Sequence, residues 1–126
     1  MLLGLRTVIY PAPDLKASRD WYASLLGVEP YFDEPFYVGF SVGGYELALD
    51  PNADPASGPT TYWGVADADD ALTTLLAAGA QARDDVQEVG GGIRVATVVE
   101  PGGAIFGVIE NPSFEVAASS SPGPGR

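Results

Sequence analysis

The chain has 126 residues, of which six are Lys or Arg and seventeen are Asp or Glu, giving a net charge of −11, and it contains neither His nor Cys. Its length is typical of one compact domain, and its 46% apolar content is ordinary for a globular protein. The absence of His and Cys excludes Ser-His-Asp triads, thiolate nucleophiles, disulfides and metal sites built from either residue. A pI near 4.1 argues against nucleic acid and anionic membranes as partners.

The first half of the chain predicts a strand, a helix and three further strands. The segment Leu5–Tyr10 is rich in β-branched residues and is followed by two prolines, which predicts the first strand. Asp14 suits a helix N-cap and Gly27 a helix stop, so the apolar spacing between them predicts a helix over Leu15–Leu26. Three short apolar segments then predict strands, the last two forming a Gly-Gly hairpin: Val28–Phe32, Phe36–Val42 and Tyr45–Leu49.

The second half repeats this plan after a loop rich in proline, Asp50–Pro59. The predicted elements are a strand over Thr60–Val65, a helix over Asp67–Ala78 and strands over Ala82–Val89, Ile93–Glu100 and Ala104–Glu110. The order βαβββ therefore occurs twice, in modules at about residues 5–50 and 60–113 of a single domain over residues 1–116. Residues 117–126 are rich in Ser, Pro and Gly, which predicts a disordered tail. With no long apolar run and no basic leader, we expect a cytoplasmic protein.

Three motifs occur in a characteristic order: TVIYPAPDL at residues 7–15, SRDWYASLLG at residues 18–27, and the turn Glu100-Pro101-Gly102-Gly103. Together with the two βαβββ modules they resemble the vicinal oxygen chelate superfamily, which includes glyoxalases, bleomycin-resistance proteins and extradiol dioxygenases. The resemblance covers roughly residues 5–113. It implies an α+β fold in which the two modules form one open barrel-like cup that holds the ligand.

In the metal-dependent members of that family, His and carboxylate ligands lie on the first and last strands of the modules. The resemblance places these positions on Thr7, on or near Thr60, on Gly107, and on either Glu46 or Ala48. Three of the four positions cannot coordinate a metal, and a divalent site usually needs at least three protein donors. We therefore expect no metal and no cofactor.

Glu46 is the leading candidate for a ligand contact. Strand alternation puts it opposite Tyr45, Leu47 and Leu49, so it faces the cup if those three face the helix. There it would anchor a ligand amine or act as a base. The alternative is a solvated carboxylate on an exposed strand face.

The strand aromatics and one arginine are the other candidates. The alternation set by Val65 places Trp63 in the core and Tyr62 in the cup, whereas Phe36 and Tyr37 stay ambiguous. Arg94 follows a triple-glycine turn; it either faces the cup, to pair with Glu46 or a ligand carboxylate, or is a solubilising charge on the outer edge. The predicted ligand-binding residues are Tyr37, Phe40, Glu46, Tyr62 and Arg94.

These residues favour a metal-free small-molecule-binding protein of the glyoxalase/bleomycin-resistance type. The ligand would be small and apolar or aromatic, and the negative charge of the protein would favour a cationic group on it. The alternative is a glyoxalase-like lyase or isomerase that uses Glu46 as a base or an atypical metal site. A third interpretation is a closed cup whose sheet serves dimerisation, so a homodimer is the protein partner to consider.

Overall fold

A computed structural model describes residues 1–113 of the chain; the predicted tail over residues 117–126 lies outside the described residues. The helices are α1 (Leu15–Leu26) and α2 (Ala68–Ala77). The strands are β1 (Leu2–Pro11), β2 (Phe32–Glu34), β3 (Tyr37–Val42), β4 (Tyr45–Asp50), β5 (Thr60–Val65), β6 (Gln81–Gly90), β7 (Ile93–Val99) and β8 (Ile105–Glu110). Within residues 1–113, no helix combines the length and apolarity that crossing a bilayer requires.

The element order confirms the predicted α+β fold with two βαβββ modules. The second strand is the misplaced element, because the structure has it at Phe32–Glu34 instead of Val28–Phe32. It pairs with β3 across the two residues Pro35 and Phe36, with Glu34 opposite Tyr37. Because the loop length sets the pairing of a hairpin, the two-residue turn makes the residues just before it the second strand.

The chain divides into two compact units. Among the described residues, module one runs from Thr7 to Pro59, and module two comprises Met1–Arg6 and residues 60–113, so the division falls within β1. Each has four strands, ordered β2-β3-β4-β1 in module one and β5-β8-β7-β6 in module two. The pair β1–β4 in module one and the pair β5–β8 in module two are parallel. The other neighbouring strands within each module are antiparallel.

The core of module one lies between its sheet and α1. Its fully buried residues, at 1% exposure or less, are Ala12, Val38, Phe40 and Leu49. Tyr22 of α1 packs against this cluster and contacts the ring of Phe40 at 6.4 Å between centroids. The apolar face of α1 and the face of β3 that carries Val38 and Phe40 therefore stabilise each other, since complete burial of one such side chain is worth about 2–3 kcal/mol.

The core of module two has the same arrangement around α2. Its buried residues are Val65, Ala68, Ala71, Ala96 and Val108. The rings of Trp63 and Phe106 stack beside it at 5.9 Å between centroids and 10° between planes. Small alanines on α2 let the helix approach the sheet closely.

Helix α1 has the predicted caps at both ends. Asp14 accepts a hydrogen bond from the backbone N–H of Ala17 at 3.1 Å, which satisfies a free donor of the first turn. Gly27 adopts φ 72° and ψ 21° and donates its N–H to the carbonyl of Ala23 at 2.9 Å. That left-handed conformation is why the helix ends at a glycine.

We predict that Gly27→Ala lowers the free energy of unfolding by about 1 kcal/mol, because an L side chain is strained at positive φ. Nothing lies within 4 Å of the added Cβ, so backbone strain is the cause. Urea denaturation measures the loss. Asn tolerates this conformation better, so an equal or greater loss in Gly27→Asn would contradict the explanation.

The turn between β7 and β8 is closed by the side chain of Glu100. Its Oε1 accepts the backbone N–H of Ala104 at 2.8 Å, and the N–H of Gly102 also points to the carboxylate. These two hydrogen bonds, that of Ala104 first, lower the pKa of Glu100 below its ordinary value of 4.5. The charged form of the side chain is therefore the form that stabilises the turn.

We predict that Glu100→Gln is less stable than the unsubstituted protein at neutral pH and that the difference disappears in acid. Because the folded pKa is depressed, the stabilising contribution is present above pH 4.5 and is lost as the pH falls through the folded pKa. Denaturation curves between pH 7 and pH 3 measure this trend. The control is Glu88→Gln, which removes one charge from an exposed position, and an identical pH trend in both variants would rule out the role of Glu100.

Candidate functional site

Glu46 lies on the face of module one that points away from α1. Leu47 and Leu49 of β4 pack into the core beside the helix, and Glu46 is an odd number of residues from each, so alternation turns it to the other side. We call this side the helix-free face of module one; it carries Thr7, Tyr37, Gly39, Glu46 and Ala48. Glu46 and Ala48 are two residues apart and so share this face.

Three hydroxyl groups surround the Glu46 carboxylate. Oε1 accepts hydrogen bonds from Thr7 Oγ1 at 3.1 Å and from the Tyr37 hydroxyl at 2.9 Å. Oε2 accepts a hydrogen bond from the Tyr31 hydroxyl. Hydrogen bonds to a charged acceptor are about twice as strong as neutral ones, so the three donors fix the carboxylate in one orientation.

The three donors come from different elements. Thr7 is on β1, directly opposite Glu46 in the parallel ladder, and it is only 6% exposed. Tyr37 begins β3, whereas Tyr31 precedes β2 in the connection from α1. Partial burial, the hydrogen bond to Glu46 and the negative charge of Glu46 raise the pKa of Tyr31 above its ordinary value. The phenol therefore keeps its proton at neutral pH and acts as a donor.

Gly39 makes room for this arrangement. A Cβ built on it would lie 2.6 Å from Glu46 Oε2 and 3.0 Å from the ring of Tyr31. The backbone N–H of Tyr31 donates to the carbonyl of Gly39 at 3.0 Å, so the ring and the strand are held together. Because Gly39 has no side chain, the Tyr31 ring and the Glu46 carboxylate occupy the space that a side chain there would fill.

The residues around Glu46 do not fit a divalent metal. Both carboxylate oxygens already accept hydrogen bonds from hydroxyl groups, Oε1 from Thr7 and Tyr37 and Oε2 from Tyr31. Among residues 1–113, no group of three or more carboxylates lies close enough to hold an ion. A structural or catalytic divalent site generally needs at least three protein ligands, so this donor set does not provide one.

In module two the ring of Tyr62 lies over Gly107, one of the positions where the family resemblance expects a metal ligand. Tyr62 lies opposite Gly107 in the parallel pair, and a Cβ on Gly107 would lie 2.5 Å from the Tyr62 ring. Nearby on β7, Thr97 is 3% exposed and donates its hydroxyl to Asp84 at 2.8 Å. Arg83 donates to the same hydroxyl at 3.2 Å, so this polar group is satisfied within the module.

Arg94 lies on the opposite face of module two from Tyr62. It is paired with Glu110 across β7 and β8, and it is two residues from the buried core residue Ala96, so the two side chains share the face that packs against α2. Its guanidinium donates to Asp69 at 2.7 Å and to Glu110 at 3.3 Å, and these contacts raise the pKa of Arg94. The cup orientation considered for Arg94 therefore does not fit its placement: the side chain ties the start of α2 to the sheet.

Phe40 is likewise placed away from the Glu46 carboxylate. Its side chain is fully buried between β3 and α1, against Tyr22. Tyr37, by contrast, is on the helix-free face and contacts Glu46 directly. Of the five predicted ligand-binding residues, the structure brings Tyr37 and Glu46 together and puts Phe40 in the core.

Sequence reasoning missed Tyr31 and did not assign Thr7 a role in the site. The sequence predicts Tyr31 inside a strand over Val28–Phe32, whereas Tyr31 precedes β2 in the structure. A signal was present in Gly39, since an isolated glycine within a strand pattern often marks a close approach by another group.

We predict that Gly39→Ala lowers the free energy of unfolding by about 1–3 kcal/mol, because the new methyl group displaces Tyr31 or the Glu46 carboxylate. Chemical denaturation measures the loss. Ser41→Ala is the matched control, since Ser41 is on the same strand and face but is exposed. Equal effects of the two substitutions would show that the space at Gly39 is not used in this way.

The sequence model of the Glyoxalase/Bleomycin resistance protein/Dioxygenase superfamily matches residues 4–108. No curated protein sequence matches the chain. Among solved structures, a Streptomyces coelicolor methylmalonyl-CoA epimerase variant in complex with 2-nitronate-propionyl-CoA is similar at a TM-score of 0.73 and 17% identity, with 91% of this chain and 99% of that chain covered.

Two further structures have the same fold. A glyoxalase/bleomycin resistance protein/dioxygenase superfamily member from Vibrio splendidus 12B01 has a TM-score of 0.66 and 20% identity, covering 84% of this chain and 97% of that one. The methylmalonyl-CoA epimerase from Mycobacterium tuberculosis has a TM-score of 0.67 and 19% identity, covering 87% and 89%. The family match spans most of the chain, and the chain therefore belongs to the Glyoxalase/Bleomycin resistance protein/Dioxygenase superfamily.

Proposed function

We propose that this protein binds a small organic ligand at the Glu46 carboxylate of module one, without a divalent metal held by these residues. The observation that carries the proposal is the fixed carboxylate itself, which accepts three hydroxyl donors on the helix-free face. A carboxylate held in this way is an anchor for a positively charged or hydrogen-bond-donating group.

The surroundings of Glu46 favour a ligand with an apolar or aromatic body. Phe32 and Phe36 are exposed, and Phe32 lies edge-on to Tyr37 at 5.9 Å between ring centroids. Aromatic side chains beside a carboxylate suit a planar ligand that carries a cationic group. The net charge of −11 would attract such a ligand over distances longer than these contacts, and added salt would weaken that attraction.

The second candidate is a lyase or isomerase that uses Glu46 as a base, since similar solved structures include methylmalonyl-CoA epimerases. Binding is favoured over this candidate because three hydroxyl hydrogen bonds hold the Glu46 carboxylate in one orientation, as an anchor for a ligand requires.

We predict that aromatic ammonium compounds raise the melting temperature and that Glu46→Gln abolishes the increase. At a ligand concentration 100 times Kd, binding stabilises the native state by about 2.7 kcal/mol, which moves the melting temperature by several degrees. Thermal unfolding with the compounds, with divalent metals and with EDTA measures both possibilities. The control is Glu88→Gln, which removes an equal charge at an exposed position of module two.

Two results would contradict the proposal. One is a ligand shift that is equal in Glu46→Gln and in the unsubstituted protein, which would place the ligand elsewhere. The other is a metal-dependent shift reversed by EDTA, together with turnover of a hemithioacetal or diol substrate that chelation abolishes, which would favour the enzyme.

A further inference from the structure

The two oxygens of Glu46 are covered in different ways. Oε1 accepts hydrogen bonds from the hydroxyls of Thr7, which is 6% exposed, and Tyr37. Both of these donors belong to strands of the sheet. Oε2 accepts a hydrogen bond from the hydroxyl of Tyr31, a residue that is 63% exposed and belongs to the connection between α1 and β2. One oxygen is therefore bound from within the sheet and the other from the solvent side.

The Tyr31 side chain is able to leave this position without unfolding the module. Its backbone is held by the bond from its N–H to Gly39 O, whereas its ring rests on the bare backbone of Gly39. Exposed side chains change rotamer on a picosecond to nanosecond timescale. A rotation of the ring would thus open Oε2 and leave the strand pairing of Phe32 with Gly39 in place.

The chemistry of the exchange defines the ligand class. An ionised carboxylate oxygen only accepts hydrogen bonds, so a group that takes the place of the Tyr31 hydroxyl must itself be a donor. A protonated amine donates a charge-assisted hydrogen bond, which is stronger than that of a neutral phenol. A quaternary ammonium carries the same charge but has no N–H to donate.

We propose that Tyr31 is a replaceable cover over Oε2 of Glu46, and that the ligand is a protonated primary, secondary or tertiary amine whose N–H takes the place of the Tyr31 hydroxyl. The inference rests on the proposed function and specifies its ligand. The amine lies against Oε2, while Thr7 and Tyr37 continue to hold Oε1. The displaced Tyr31 ring and the ring of Tyr37 then offer aromatic faces to the cation.

The test is calorimetric titration of the full chain at neutral pH with benzylammonium, benzyltrimethylammonium and benzyl alcohol. We expect benzylammonium to bind most tightly, and to bind Tyr31→Phe about 3- to 10-fold more tightly, because the competing hydroxyl is absent. The affinity for benzyltrimethylammonium stays weak in both proteins. Tyr45→Phe is the matched control, since Tyr45 is on β4 but points to the opposite face from Glu46, and it leaves all three affinities unchanged.

The other outcomes separate this inference from the proposed function. Unchanged or weaker benzylammonium binding in Tyr31→Phe overturns the replaceable cover, and so does equal binding of benzyltrimethylammonium. If benzyl alcohol binds as well as benzylammonium and Glu46→Gln abolishes its binding, the amine is wrong but the site at Glu46 stands. If none of the three compounds binds either protein, the inference is overturned; if no ligand shift depends on Glu46, the proposed function fails as well.

Discussion

The pairing of Thr7 with Glu46 is the constraint on which the candidate site depends. Parallel neighbours need a long crossover between them, and the segment from α1 to β3 provides it for β1 and β4. A slip of one residue would turn Glu46 toward α1, where the apolar core has no donors for a carboxylate. Leu47 and Leu49 hold the correct register because they fill that core.

The same pairing explains how this chain accommodates a charge at Glu46, one of the two residues that the family resemblance offers for a carboxylate ligand. A partly buried carboxylate without partners is costly, and it is stabilised by either a cation or hydrogen-bond donors. Here the donors are three hydroxyl groups, and one of them, Thr7, stands at a position where the family resemblance expects a histidine. The three hydroxyl hydrogen bonds therefore stabilise the Glu46 carboxylate without requiring a metal ion.

The local elements could be predicted from the sequence because they depend on local chemistry. The bounds of α1 follow from Asp14 and Gly27, and the orientation of Glu46 follows from alternation with Leu47 and Leu49. Alternation alone would also have separated Phe40 from Tyr37, since an odd spacing on one strand puts two side chains on opposite faces.

Tyr31 was less accessible to sequence reasoning for a physical reason. It lies in a connection whose conformation is set by tertiary contacts, namely the bond to Gly39 and the bond to Glu46. Neither contact leaves a periodic signature in the segment before β2. Arg94 was ambiguous for another reason, because an arginine at a strand end serves equally well as a ligand contact or as a tie to a neighbouring helix, and here its partners are Asp69 and Glu110.

Both modules place a tyrosine ring on a strand glycine, but the two rings are attached differently. Tyr62 belongs to β5 and is opposite Gly107 in the ladder, so moving its backbone would break strand pairing. Tyr31 lies on Gly39 from outside the ladder, and its hydroxyl bonds to a carboxylate that the sheet already holds by its other oxygen. The Tyr62 ring lies on a strand glycine, whereas the Tyr31 ring lies over an anionic group to which its hydroxyl is bonded. This difference is the reason that the proposed amine site is in module one rather than in module two.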